Sequence, residues 1–300
     1  MENYNYNFRV SNNFVNYKIK DLFKIWLIPR HIRGLLRMRK RVFLNKKHTS
    51  MDKRISLNDK ISFYLFDKDF LKVQHYPCNF NKCVSTLYEN EDFIVVDKPA
   101  GMKMHPHSLS EDDTLLNYIE GMLVNKKSYG HRANAMITHR LDRDTSGVVI
   151  IAKNPLSVSI INRLFSQRRI KKTYIALVSG RLLKKRGKIS FPIGKDSNHP
   201  FRRKVTLKGE RAVTYWRLLH YINGNSLIKV KTETGRTNQI RLHLAVINHP
   251  IIGDRFYGGK NYKRLMLHAL YINLPKLFSP FKQRISLKTL VPKSFLSFYK

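Results

Sequence analysis

Two aspartates, Asp142 and Asp144, sit among Arg140 and Arg143 in the run His139-Arg-Leu-Asp-Arg-Asp-Thr-Ser-Gly147. A carboxylate beside guanidinium groups stays ionised and is available as a nucleophile or a base. A structural ion pair is the ordinary meaning of an Arg-Leu-Asp-Arg loop, so the residue types alone do not establish chemistry. Ser146 lacks the glycine-flanked elbow of a serine nucleophile, and Thr145-Ser146-Gly147 has the character of a turn. Asp142 and Asp144 read as metal ligands would suggest a nuclease, but two carboxylates are thin ligation for that purpose. No Gly-rich loop ends in Lys-Ser or Lys-Thr, no helix pairs two histidines and no Cys-x-x-Cys occurs. Nucleotide hydrolysis and zinc chemistry therefore have no anchor.

The loop runs straight into Gly147-Val-Val-Ile-Ile-Ala152, an apolar stretch of the length of a buried strand. Phe93 to Asp97, Thr173 to Val178 and Ser226 to Lys231 are further strands. Pro155 to Arg168 has helical spacing, with Val158, Ile161, Leu164 and Phe165 on one side. Strands and helices do not alternate regularly. That predicts an α+β fold with a mixed, largely antiparallel sheet.

Ahead of it lies a smaller α/β module. Val15 to Leu27 places Val15, Ile19, Leu22, Phe23 and Trp26 at helical spacing, and Pro29 interrupts the pattern. A basic helix follows, Arg30 to Lys40, carrying Arg30, Arg33, Arg37 and Lys40. Two short strands, Arg41 to Leu44 and Lys60 to Leu65, complete the module, with a turn at Asn58-Asp59. The divisions expected are a tail at 1–14, the module at 15–66, a polar linker at 67–83 and the main domain at 84–300.

Net charge is +37, and the basic residues run through the whole chain. Such a surface attracts a polyanion, which makes nucleic acid the leading partner, although a proteome rich in Lys and Asn would produce part of the same bias. Two cysteines, Cys78 and Cys83, make neither a metal site nor a disulfide framework. No apolar run is long enough to span a bilayer, and the polar start is unlike a leader peptide. The expectation is a cytoplasmic, reduced, monomeric protein without a membrane partner.

His-Arg-Leu-Asp-x-x-Thr-Ser-Gly resembles the signature of the RluA family of pseudouridine synthases. Three more segments agree in order: Val96-Asp-Lys-Pro-Ala-Gly-Met-Lys-Met-His-Pro106, Lys171-Lys-Thr-Tyr-Ile-Ala-Leu-Val178, and Thr234-Gly-Arg-Thr-Asn-Gln-Ile-Arg-Leu-His243 continuing through Pro250-Ile-Ile-Gly-Asp-Arg-Phe-Tyr-Gly-Gly259. Residues 15–66 resemble the S4 RNA-binding domain in Pro29 to Leu36, Arg41 to Asn45 and Ser56 to Ile61, departing from it where Lys46 and Asn58 replace expected glycines. The resemblance implies the pseudouridine synthase fold and isomerisation of uridine in ribosomal or transfer RNA, with no cofactor and no metal. It implies Asp142 as the catalytic carboxylate, Tyr174 as the residue packed on the base and Arg241 as the partner of the carboxylate. It further implies Arg140 as the side chain sent into the RNA, with Arg143 and Arg236 also on RNA. Lys98, His105 and Asn238 fall in its cleft, Asn238 standing where the family usually has histidine. A catalytically silent RNA-binding or ribosome-assembly protein is the rival reading; retention of Asp142, Tyr174 and Arg241 together speaks against it, because binding alone needs only the arginines.

Overall fold

The computed structural model describes residues 3–70, 75–108, 110–279 and 283–298. A ten-stranded sheet runs in the order Arg186–Ile189, Thr214–Ile222, Asn225–Thr232, Lys171–Ser179, Leu267–Pro275, Ser146–Ala152, Phe93–Lys98, Thr86–Glu89. Arg284–Lys288 pairs with Leu267–Pro275, and Met136–Ile137 with Ser146–Ala152. One pairing in it is parallel, Ser146–Ala152 with Leu267–Pro275, and the others are antiparallel. The fold is α+β with a mixed, largely antiparallel sheet.

The parallel contact sits where the aspartate loop ends. Ser146 opposes His268 and Gly147 opposes Ala269. Gly147 has φ +115°, and a Cβ there would lie 2.2 Å from the Ala269 carbonyl oxygen. Only glycine allows the strands to approach this closely. The rest of Ser146–Ala152 is buried along its whole length, as its apolar run requires. Helix Pro155–Ser166 starts from Asn154, whose side chain accepts from the Ser157 N–H, with Pro at the first helical position.

The N-terminal sheet has the order Tyr4–Arg9, Lys60–Leu65, Val42–Leu44, Lys47–His48. Residues 4–9 are thus a strand, not part of a tail. Their alternation of buried Tyr4 and Tyr6 with exposed Asn5 and Asn7 is a two-residue period that the polar composition hid. Helices Ile19–Ile25 and Arg30–Met38 pack on this sheet, the first shorter than its hydrophobic spacing suggested. Asn58 adopts φ +65°, and Asn45 and Lys46 turn the Val42–His48 hairpin at φ +51° and +70°. The turns survive without glycine because Asn tolerates this region, whereas Lys46 is held there at a cost.

The two sheets share one hydrophobic core. Tyr6 is fully buried, donates to Asn154 Oδ1 at 3.1 Å, and packs on Tyr129 at 4.2 Å between ring centroids; Tyr4 stacks on His131. Each such aromatic stabilises the contact by about 1.5–3 kcal/mol relative to exposure. Residues 67–83 are more than a solvated linker. Asp69 forms a buried ion pair with Arg41 at 2.5 Å, Tyr76 is buried, and the Asn79 N–H donates to the Asn117 carbonyl. Residues 71–74 of that expected linker lie outside the described residues.

Candidate active site

A cleft enclosing about 80 Å³ is lined by Arg140 to Asp142, Thr145, Lys172, Tyr174, Thr232 and residues 234–237, with Gln239, Ile240 and Leu267 closing it. Asp142 enters from the loop before Ser146–Ala152, and that loop is closed by the Thr145 N–H donating to the Asp142 carbonyl at 3.1 Å. Tyr174 comes from the strand Lys171–Ser179 at a bulge against Leu267–Pro275, which aims it beside the loop. Lys172, two residues along the same strand, lies 5.9 Å from the Tyr174 ring centroid. Arg140 and Arg236 are exposed at the rim. The sequence-derived residues Asp142, Tyr174, Arg140 and Arg236 therefore meet in one cleft.

The carboxylate of Asp142 is packed round by protein although the residue as a whole is only half-buried. Burial raises its pKa above the usual carboxylate value. Arg241, then Arg140, then a hydrogen bond from the Asn238 backbone N–H oppose that rise without cancelling it. The arginines alone had suggested a carboxylate held low; desolvation outweighs them.

Arg241 does not fork onto Asp142. Its Nε and Nη2 donate to Asp254 at 2.8 and 2.7 Å, and both side chains are buried. Asp254 also accepts from the backbone N–H groups of Phe256 and Tyr257, so it presents a fixed bidentate acceptor that Asp142 does not. Asn238 stands at the start of helix Gln239–Val246 with φ +55°, a conformation that asparagine tolerates. Its side chain turns away from the cleft, donating to the Phe201 carbonyl and Tyr257 and accepting from Arg241, while its N–H serves Asp142. The positive end of that helix adds to the field on the carboxylate.

Lys98 is not a cleft residue. It is fully buried beneath the aspartate loop, donating to the carbonyls of Pro99, Met102 and Arg143 at 2.8–2.9 Å. Burial pushes its ammonium down to about 7, with Asp144 and Asp142 holding it up. Arg143 is exposed but its Nε donates to the Gly101 carbonyl, so it ties the first motif to the loop. His105 stacks on His107 at 5.1 Å and does not line the cleft. Asp144 lines a separate cavity with Arg255, Lys263 and Arg264. The two loop carboxylates thus face different spaces, which removes the paired-ligand reading. Among the described residues no three His, Cys, Asp or Glu gather as a metal site.

On the basic helix, Arg30, Arg37 and the following Lys40 are exposed. Arg33 is half-buried and caps the Ile28 carbonyl at 3.1 Å. The sequence groups it with Arg30, Arg37 and Lys40 of the RNA-binding-like module; the tight turn at Leu27 and Ile28 draws it in.

Three contributors were missed. Asp254 lay inside a recognised segment, and its Asp-x-Phe-Tyr spacing suits a turn that binds two following N–H groups. Gln239 accepts from Thr234 Oγ1 and the Arg236 N–H and donates to Val213 and Thr214, pinning the cleft loop; nothing in its neighbours signalled that. Lys172 was read only as a strand residue. His243 and His268 have both ring nitrogens in hydrogen bonds, and the half-buried His139 accepts from the Ile150 N–H.

Comparison with known proteins now decides the family. A model described as RNA pseudouridylate synthase matches residues 92–246, and one described as RluD ribosomal pseudouridine synthase N-terminal domain matches residues 6–61. The chain belongs to the RNA pseudouridylate synthase family. An uncharacterized RNA pseudouridine synthase of Bacillus subtilis, YhcT, is 38% identical over 187 residues, 61% of each chain. The match therefore spans about three fifths of that relative's length. Ribosomal large subunit pseudouridine synthase D of Buchnera aphidicola (Schizaphis graminum) is 29% identical over 92% of this chain and 86% of that protein. The solved structure of human RNA Pseudouridylate Synthase Domain Containing 1 aligns with TM-score 0.58 and 26% identity, covering 71% of this chain and 85% of that one. The synthase-family match begins ahead of the first motif, and the RluD-type match begins inside the stretch 1–14.

Proposed function

We propose that this synthase-family chain isomerises uridine to pseudouridine in large-subunit ribosomal RNA, with Asp142 as the catalytic carboxylate. The observation that carries the reading is Asp142 in a cleft beside Tyr174, hydrogen-bonded by the Asn238 N–H, with Arg140 at the rim. The ribosomal substrate is supported by the RluD-type N-terminal match and by relatives bearing that name.

The reaction breaks the N1–C1′ bond, turns the uracil and joins C1′ to C5. The C5 proton leaves to water and N1 gains one, so atoms balance without a co-reactant. Asp142 works ionised, attacking C1′ or removing the C2′ proton. The Asn238 N–H and the nearby charge of Arg241 hold that ionised state against burial. Tyr174 supplies an aromatic wall for the detached uracil, because every base presents a π-face. The uridine must first leave its stack, at about a few kcal/mol, and Arg140 is placed to fill the vacated position. The exposed Arg30, Arg37 and Lys40 of the N-terminal module add phosphate contacts.

The test is tritium release from RNA labelled at uridine C5. Wild type should release tritium and Asp142→Asn should not while still binding RNA. Binding without release by the wild type, across ribosomal and transfer RNA pools, would favour the silent binder.

A further inference from the structure

A second surface lies at the edge of the large sheet. The edge strands pair so that Arg186 opposes Arg217, which opposes Lys229, and Lys188 opposes Tyr215, which opposes Lys231. Cross-strand partners and residues two apart share a face. These six side chains therefore project from one face and all are exposed, while the intervening Trp216 and Val230 are buried on the other. The six line a groove of about 410 Å³ together with Gly187 and Trp216.

Two features of this face point to a ligand. Like charges set directly opposite one another across strands are destabilising. Yet none of the five cations has an ion pair among the described residues, whereas Arg168 and Arg211 nearby both pair with Glu233. Tyr215, the aromatic among these six side chains, is anchored through its hydroxyl to that same Glu233 at 3.3 Å, which orients its ring among the cations. Cations tracking a groove with an aromatic among them match a phosphodiester strand and its bases. The strand Asn225–Thr232 carries Lys229 and Lys231 on this face and ends at Thr232, which lines the cleft on the opposite face with Tyr174, so an RNA segment leaving the cleft reaches the groove by rounding the end of that strand.

We propose that this sheet face binds a single-stranded segment of the substrate RNA flanking the target uridine, with phosphates on Arg186, Arg217, Lys188, Lys229 and Lys231 and a base on Tyr215. The proposal rests on the RNA substrate inferred above, but its test does not require turnover. Anisotropy of a labelled oligouridine of about 20 nucleotides is followed as a function of salt for the full chain. Replacing Arg186, Arg217 and Lys229 together by Ala should weaken binding about tenfold or more and flatten the log–log salt slope by about 2, at ~0.7 per phosphate contact. Tyr215→Ala should weaken binding about tenfold with the salt slope unchanged, and Tyr215→Phe, which keeps the ring but loses the Glu233 anchor, should fall between Tyr215→Ala and wild type. Thermal melts should show each variant folded. Unchanged affinity and slope in the triple variant overturns the proposal, as does loss of binding to anionic phospholipid vesicles with oligouridine binding intact. If wild type binds the oligouridine through this face but releases no tritium from any RNA, the synthase reading fails and the surface stands.

Discussion

The guanidinium of Arg241 grips Asp254 through two hydrogen bonds of 2.8 and 2.7 Å and reaches Asp142 only through its field. The carboxylate expected to react is thus left free of a bidentate partner. An ionised Asp142 locked onto a fork would be a weaker nucleophile and base. Arg241 instead supplies positive charge from a position fixed by a second acid.

Asp254→Asn should therefore act on stability first. It leaves a buried guanidinium without its counter-charge, and breaking a buried pair costs about 3–5 kcal/mol. Denaturant unfolding checks this, and a loss below ~1 kcal/mol would show that the pair is not what holds Arg241.

Asp142→Asn should abolish activity, by about 10⁴-fold or more. It should also stabilise the protein at neutral pH. The folded pKa of Asp142 is raised above its ordinary 3.8. Its favourable contribution is complete below 3.8 and is lost as pH rises through the folded value. The melting-temperature difference between variant and wild type should open over that window and stay open above it. A variant less stable than wild type at pH 7 would contradict the burial argument.

The same shift sets the acid limb of kcat/KM, which should lie above the ordinary aspartate value of 3.8. Arg140 lowers the pKa of Asp142, so Arg140→Met should move that limb to higher pH and also weaken RNA binding. A limb that stays in place in this variant would mean that another group governs the profile.

Lys46 lies in the left-handed region at φ +70°. The strain costs ~1–2 kcal/mol and the chain entropy of glycine ~0.5–1, so Lys46→Gly should stabilise by about 0.5 kcal/mol or slightly more. Urea midpoints at equal m-value would measure it.

Much was legible in the residues alone. Apolar runs such as Val148 to Ala152 had no alternative to a buried strand, and Asn58 could take its turn without glycine. The tail was misread because Tyr4 and Tyr6 alternate with asparagines, and two buried positions are too few to declare a strand without its partner Lys60–Leu65.

By itself the sequence determined the α+β class, the basic character and the motifs that carry Asp142, Tyr174 and Arg140, because motif order and residue type are local properties. Tertiary structure decided which acid Arg241 grips, that Lys98 supports the loop from beneath, that Asp144 faces away, and that burial outweighs arginine at Asp142. Each of these is a sum over groups distant in sequence, such as the Asn238 N–H and the Asp142 carboxylate. Electrostatic energy and desolvation depend on separation and surroundings in space, and only the fold specifies those.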